Sequence, residues 1–236
     1  MTNVFFLLPF FLLQSPDTLP ALQVSPIAEG FYVHTSFGLV GARPYPSNGL
    51  VAETSEGIII VDTPWDTAQS VQLLDWIAAT LKKKVLCCIV THAHADRIGG
   101  IEIFKRRGIR ILSTPLTAKR AVERGYSRPD PVLPNDTVMS WGGTSVECFY
   151  PGKGHTDDNI VVWFPGERIL FGGCLVKSTS ASGLGNIADA DLAAWPATIR
   201  SVIKKFPDYR IVIPGHESWS DNSSLEHTLD LLRNSK

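Results

Sequence analysis

The chain has 236 residues, enough to bury a hydrophobic core, and a composition of 44% hydrophobic and 19% charged residues is typical of a globular protein. Its formal net charge of −1 excludes the strongly basic balance typical of nucleic-acid-binding proteins. We therefore expect a monomer whose partner is a small molecule, with no nucleic acid and no stable membrane partner.

The N-terminal segment predicts export. Residues 4–13 form an apolar run that is too short to span a bilayer as a helix but has the length found in secretory signal peptides. We expect residues 1–23 to be a leader, residues 24–236 to form one domain, and the mature protein to be periplasmic. A second interpretation stays open, an N-terminal segment packed on the fold. No Lys or Arg precedes the run, and no small-x-small cleavage site follows it.

The first half of the mature chain predicts strands followed by alternating helices and strands. Apolar runs predict strands at residues 31–37, 49–53, 58–63 and 85–92. Asp66 can cap a first helix, and two more helices are predicted at residues 98–107 and 116–124, each ending at a glycine. Residues 37–48, which carry Gly and Pro, are predicted to be a loop between the first two strands.

The second half, after a Pro-rich link near residues 125–136, repeats this pattern. Strands are predicted at residues 137–141, 144–150, 159–164, 168–174 and 210–214. Helices are predicted at residues 191–206 and from Ser223 onward. Because each half has one apolar sheet face to bury, we expect an α/β fold in which two sheets pack face to face with helices on the outside.

The four cysteines do not predict disulfides. Cys87 and Cys88 are adjacent in one strand and therefore point to opposite faces, and Cys148 lies in another strand. We interpret these three as small buried apolar residues. Cys174 differs because it follows two glycines at the end of a strand, where a side chain can be presented to a site.

Six side chains of metal-ligating type lie just after strands or in loops: His92, His94, Asp96, His155, Cys174 and His216. Each alone is more often a surface or core residue, but four of the six histidines fall at strand ends beside Gly or Asp. Imidazole, carboxylate and thiolate at such positions can converge on zinc. The other two histidines receive no role; His34 lies within a strand, and His227 is predicted to face water on the last helix.

Four motifs give these residues a specific context. HAHADR, GKGHTDDN, GGCLVKS and PGH occur in this order and resemble those of the metallo-β-lactamases, in particular the cysteine-containing subclass B1. The resemblance runs from about Glu29 to the C-terminus. It implies an αβ/βα four-layer sandwich of two mixed sheets face to face, with helices outside.

The resemblance also implies two zinc ions per chain. It assigns His92, His94 and His155 to one ion and Asp96, Cys174 and His216 to the other. The wider superfamily usually has a ligating His after the Asp, where this chain has Arg97, which cannot bind zinc. Cys174 supplies the ligand that the second site would otherwise lack. A zinc-held hydroxide, oriented by Asp96, would open the β-lactam ring without a covalent acyl-enzyme.

The resemblance assigns substrate contacts as well. Lys177 would bind the substrate carboxylate. Asn186, together with zinc, would stabilise the negative charge that develops on the carbonyl oxygen. Residues 37–48 resemble the family's mobile flap. Trp65 either forms an apolar wall of the pocket or packs under the first helix.

Three further positions bear on this site. Asp62 resembles an acid that steadies the ligand loop from outside, and Arg97 can offset the negative charges of the second site. After PGH the family often has Gly, but this chain has Glu217, which leaves the preference among penicillins, cephalosporins and carbapenems open.

The sequence thus predicts a β-lactamase that hydrolyses the amide bond of β-lactams and confers antibiotic resistance. Another hydrolase of the same fold, such as a thioesterase or lactonase, is the alternative, against which Arg97, Cys174 and Lys177 argue. A non-catalytic binding protein is disfavoured because all six ligands are present.

Overall fold

The computed structural model describes residues 19–235. Residues 1–18 of the expected leader lie outside this range, so the leader and export stay predictions. No helix in the described range is long and apolar enough to cross a membrane.

The first sheet of the described chain has six strands in the order β1-β2-β3-β4-β5-β6. They are β1 (Gln23–Ala28), β2 (Phe31–Val40), β3 (Arg43–Glu53), β4 (Ile58–Val61), β5 (Val85–Ile89) and β6 (Arg110–Leu112). β1 to β4 pair antiparallel, whereas β4, β5 and β6 are parallel. The sequence did not predict β1, an edge strand in which Pro26 is tolerated because one side of an edge needs no N–H donor.

The second sheet has five described strands in the order β11-β10-β9-β8-β7. They are β7 (Thr137–Trp141), β8 (Thr144–Phe149), β9 (Val161–Phe164), β10 (Ile169–Gly173) and β11 (Ile211–Pro214). Only the pair β10 and β11 is parallel among these strands. The carboxyl ends of β10 and β11 therefore meet at one edge, as those of β4 and β5 do in the first sheet.

Six helices cover the outer faces of the described fold: α1 (Thr67–Trp76), α2 (Ala95–Ile98), α3 (Ile101–Arg106), α4 (Pro115–Glu123), α5 (Trp195–Lys205) and α6 (Ser224–Asn234). Asp66 caps α1 as predicted, its side chain accepting from the Gln69 N–H at 2.8 Å. α1 continues into a π-helical turn at Ile77–Leu81.

Three apolar layers confirm the predicted αβ/βα sandwich. The central layer joins both sheets, with Val61 and Ile89 from one and Phe164 and Phe171 from the other. The two outer layers pack α1 and α3 on the first sheet and α5 and α6 on the second. Burial of these apolar faces is the main stabilising contribution to the fold.

The helix predicted at residues 98–107 is divided in two. α2 ends at Ile98 and α3 begins at Ile101 because Gly99 and Gly100 lie between them. A Cβ at Gly99 would collide with the carbonyl oxygen of Trp65, so this close approach of two backbone segments requires glycine.

The prediction of a loop at residues 37–48 is also wrong. β2 and β3 continue through most of this segment as a hairpin, paired from Phe31–Ala52 out to Val40–Arg43. Pro44 and Pro46 misled the prediction, because proline is tolerated where its missing N–H falls on the unpaired side of a strand. Leu39 and Val40 are the exposed apolar tip of this hairpin.

Candidate metal centre

The six candidate ligands follow the carboxyl ends of strands, five of them in loops and Asp96 in the first turn of α2. His92, His94 and Asp96 follow β5, and Cys174 directly follows β10. His216 follows β11, which pairs parallel with β10, while His155 lies in the loop before β9. The face-to-face packing of the two sheets brings these loops together at one edge of the sandwich.

The three histidines His92, His94 and His155 form one group. The His94 Nδ1 and His155 Nε2 atoms lie 3.3 Å apart, and the three ring centroids are 4.7–5.1 Å from one another. His92 Nε2 is buried and has no hydrogen-bond partner among the described residues. A buried ring nitrogen without a partner is costly unless it binds something else, such as a metal ion.

Asp96, Cys174 and His216 form the second group. The Cys174 Sγ atom lies 3.3 Å from Asp96 Oδ2 and 3.2 Å from His216 Nε2, and these last two atoms are 3.3 Å apart. Ligands 2.0–2.3 Å from a tetrahedral zinc lie roughly 3.3–3.8 Å apart. The triangle therefore matches a zinc site, and its mixture of thiolate, imidazole and carboxylate suits a borderline-soft divalent ion.

The two groups form one continuous cluster. Ligand atoms of His92, His155 and Cys174 also lie within 4.8 Å of one another, and so do those of His92, His94 and Asp96. Two ions held by this cluster would be neighbours. The six residues thus fit the two-metal site that the sequence predicts.

The electrostatics of the cluster favour the metal-binding protonation states of the imidazoles and of Asp96, whereas burial raises the pKa of the Cys174 thiol, so that its thiolate needs a bound metal ion. Burial lowers the pKa of His92 and His155 well below the usual value, and the neighbouring histidines lower it further. Burial alone would raise the pKa of Asp96, but the Arg97 guanidinium and His216 outweigh it and hold the pKa well below its usual range. Neutral imidazoles and an ionised carboxylate are the forms that bind metal.

Two hydrogen bonds orient the ligand rings. His94 Nε2 lies 2.8 Å from Asp189 Oδ2, so its Nδ1 is left toward the cluster. His216 Nδ1 lies 2.7 Å from the carbonyl oxygen of Pro46, so its Nε2 is left toward Cys174. Such outer partners fix the ring tautomer and raise ligand affinity.

Arg97 is the centre of a buried charge network beneath the second group. Its Nε donates to Asp96 Oδ2 at 2.8 Å, and its terminal nitrogens donate to the carbonyl oxygens of Asn48 and Gly215 at 2.5 and 2.6 Å. It also lies 3.3 Å from Asp62 Oδ2. Arg97 thus offsets the negative charge of the second group, as the sequence suggested.

Asp62 ties this network to the ligand loop. Its carboxylate accepts from the N–H and hydroxyl of Thr91, at 2.7 and 2.8 Å, immediately before His92. Burial raises the pKa of Asp62 to about 7, against the lowering effects of Arg97 and Thr91. The acid therefore holds the backbone from which the first ligands project.

A cavity of about 470 Å³ opens above the cluster. Its lining residues are Val40, Tyr45, Trp65, His94, Asp96, His155, Lys177, Gly185, Asn186 and His216. His92 and Cys174 are buried beneath it. The size is that of a small-molecule site, with an apolar wall from the hairpin facing the polar ligands.

The predicted substrate-binding residues all line this cavity. Lys177 is buried, with its Nζ 5.3 Å from the Trp195 ring centroid, whereas Asn186 is exposed and its Oδ1 accepts from the Ala188 N–H. Trp65 forms part of the wall, its ring centroid 6.3 Å from that of His216. Tyr45, which the sequence reasoning missed, stacks closer to His216, at 4.9 Å.

A larger open depression of about 590 Å³ lies beside this cavity and shares only the outer partner Asp189 with the site. Its arginines are already paired, Arg120 with Asp157 and Arg124 with Asp189. The cavity above the ligand cluster is therefore the candidate active site.

Comparisons with known proteins agree with this geometry. The family model described as the metallo-beta-lactamase superfamily matches residues 42–216, which include all six ligands. The chain belongs to the metallo-β-lactamase family. It is 46% identical over 212 residues to the metallo-beta-lactamase type 2 of Bacillus cereus, covering 90% of this chain and 83% of the relative.

Other relatives and solved structures give the same result. The metallo-beta-lactamase type 2 of Bacteroides fragilis is 36% identical over 212 residues, covering 89% of this chain and 85% of the relative. The structure of a metallo-beta-lactamase from Pontibacter korlensis superposes with a TM-score of 0.88 at 42% identity, covering 90% of this chain and 99% of the other. The predicted family and fold are confirmed.

His34, to which the sequence analysis assigned no role, lies beneath the metallo-β-lactamase site and contacts the backbone of Asp62. Its ring is buried, and its Nε2 lies 3.1 Å from the carbonyl oxygen of Asp62. Asp62 has a positive φ of 62°, in the left-handed region that residues other than glycine seldom adopt. His34 therefore supports the turn from which Asp62 reaches Thr91.

His227, which was predicted to face water, is instead partly buried, and its Nε2 lies 2.9 Å from the carbonyl oxygen of Ala181.

His34 gives this metallo-β-lactamase chain a pH-dependent stability. Burial lowers the pKa of His34 from 6.5 to about 4. Between these values the unfolded chain binds the extra proton, so stability is lost as the pH falls from 6.5 to 4, by up to about 3 kcal/mol. His34→Gln keeps a donor for Asp62 but does not titrate, so it should lack this loss. Urea unfolding of both metal-free proteins at several pH values measures it, and parallel pH profiles would contradict it.

Proposed function

We propose that this chain hydrolyses the amide bond of β-lactams with two zinc ions. The observation that carries the proposal is the Asp96–Cys174–His216 triangle beside the three histidines, at the floor of a cavity rimmed by Lys177. The relatives' names, metallo-beta-lactamase, point to the same substrate class.

The proposed ligands divide into two sets. His92, His94 and His155 would hold one zinc, and Asp96, Cys174 and His216 would hold the second. Bound zinc supplies a Lewis acid and lowers the pKa of a coordinated water to roughly 7, which provides a nucleophile at neutral pH.

The chain's own residues position the substrate. Lys177 provides a buried ammonium at the side of the cavity for the carboxylate found on bicyclic β-lactams. Burial lowers the pKa of Lys177, and the negative charges that Cys174 and Asp96 carry when they are ionised oppose that shift. Asn186, on the cavity rim, provides an amide donor for the developing negative charge.

The remaining residues orient the nucleophile and exclude water. Asp96 accepts from Arg97 through Oδ2 and presents its carboxylate at the cavity floor, where it can orient the attacking water. Val40, Tyr45 and Trp65 form an apolar wall that can cover the apolar part of a bound substrate. A drier site strengthens every polar contact made in the transition state.

The thioesterase and lactonase alternatives are less well supported. A second site built from a further histidine would need a ligand at position 97, where Arg97 is instead fully committed to buried hydrogen bonds. Cys174 completes the second site in its place. No observation in the described chain favours a thioester or lactone over a β-lactam.

The proposal is tested with the purified protein. Zinc per chain is counted by elemental analysis, and the ring opening of a penicillin and a carbapenem is followed by ultraviolet absorbance. We expect two zinc ions and turnover that a chelator abolishes and added zinc restores. A zinc-loaded protein that opens neither ring would refute the proposed function.

A further inference from the structure

Glu217 occupies an unusual position at the rim of the cavity. Its backbone has a φ of 61°, in the left-handed region that favours glycine, and it stands directly after the ligand His216. Asn48 Nδ2 donates to the Glu217 carbonyl oxygen at 2.9 Å and holds the backbone in this turn. Glycine would adopt the same turn without strain, so the glutamate carries a conformational cost that glycine would avoid.

The Glu217 side chain is anchored at the edge of the site. Its Oε2 accepts a hydrogen bond from Ser180 Oγ at 3.2 Å. It lines a small recess of about 20 Å³ that opens from the main cavity. The residues that line both spaces are Tyr45, Lys177, Gly185 and His216. The Glu217 carboxylate therefore lies beside the end of the substrate cavity that Lys177 lines.

The field of Glu217 reaches both walls of this end. Burial raises the pKa of Tyr45 to about 12, and the negative charge of Glu217 is the next contribution. At Lys177, burial lowers the pKa, and Glu217 is among the groups that oppose the shift. Glu217 is only partly buried, so solvent screens its charge in part, but its charge still acts on both Tyr45 and Lys177.

We propose that Glu217 is a specificity-determining residue that favours β-lactams with a positive charge on the substituent beside the ring carboxylate. This inference rests on the proposed function. When Lys177 binds the ring carboxylate, a substituent on the adjacent ring carbon would lie at the same end of the cavity, next to the recess that Glu217 lines. A cationic substituent is attracted there, and an additional anionic one is repelled.

The test uses two cephalosporins with the same acyl side chain, one carrying a pyridinium group and the other a neutral acetoxy group next to the ring carboxylate. The measured quantity is the ratio of their kcat/KM values. Glu217→Gln keeps an acceptor for Ser180 but removes the charge, so it should lower the ratio by about two- to fivefold. Ser180→Ala removes the hydrogen bond but keeps the charge, so it should change the ratio much less than Glu217→Gln does.

The outcomes separate charge from position. A ratio that both variants change equally, or that only Ser180→Ala changes, would overturn the inference, and so would an unchanged ratio in Glu217→Gln. The wild-type ratio should also fall when salt is raised, because screening weakens a partly exposed charge. A wild-type, zinc-loaded protein that opens neither cephalosporin refutes the proposed function instead, so the two failures are distinguishable.

Discussion

Replacing Cys174 by serine is expected to reduce the zinc content from two ions per chain to one and to lower kcat/KM by at least about a hundredfold. The Sγ atom lies 3.2–3.3 Å from both other ligands of its group, so the second ligand set would lose its only soft donor. A serine hydroxyl stays protonated and binds zinc poorly. Loss of an outer partner alone costs about 10- to 100-fold, and loss of a ligand should exceed this.

Cys148→Ser is the matched control. Cys148 is equally buried and equally a free thiol, but it lies in the central apolar layer. Its serine variant should be less stable because an apolar site receives a hydroxyl, yet it should keep both zinc ions when folded. Elemental analysis and absorbance assays of the two variants provide the comparison. Equal zinc loss in both would mean that Cys174 is not the second-site thiolate.

Much of the site was predictable because its ligands are fixed by local sequence. Each of His94, Cys174 and His216 follows a buried strand within a short motif, and strand ends converge wherever two sheets pack face to face. The apolar runs that predicted the strands are the same ones that form the central layer. The layers and the ligand cluster therefore follow from one pattern.

The missed residues act through contacts between distant parts of the chain. Asp189 contacts His94, which is 95 residues away in the sequence, and His34 contacts Asp62, which is 28 residues away. An exposed aspartate in a loop and a histidine in a strand carry no local signal of such a partner. The one sequence feature that indicates Asp189 is its position three residues after Asn186, in the loop that rims the cavity.

The hairpin was missed for a related reason. Pro44 and Pro46 are loop-forming residues by local preference, but β2 offers a continuous partner strand that overrides this preference. The hairpin then places Tyr45 against His216 and the Pro46 carbonyl oxygen on the same ring. Pairing between strands, which the sequence does not display, thus determines the wall of the site.

Arg97→Met is expected to cost about 3–5 kcal/mol of folding stability in the metal-free protein. The guanidinium is fully buried and satisfies two carboxylates and two carbonyl oxygens, from Asp96, Asp62, Asn48 and Gly215. Methionine nearly fills the volume of the arginine side chain but leaves those groups buried without a partner. Removal of one partner of a buried ion pair is strongly destabilising because it leaves an uncompensated buried charge. The second zinc site should weaken as well, because Asp96 loses the donor that fixes its carboxylate.

Arg120→Met provides the control for a general loss of charge. Arg120 also bridges two carboxylates, Asp157 and Glu123, but its side chain is 34% exposed whereas that of Arg97 is 0% exposed. Solvent screens the exposed pairs, so this variant should lose much less stability than Arg97→Met. Urea unfolding of both metal-free variants gives the difference, and equal losses would contradict a special role for the buried guanidinium. Arg97→Lys should fall between them, since an ammonium has fewer donors and cannot reproduce the planar fork.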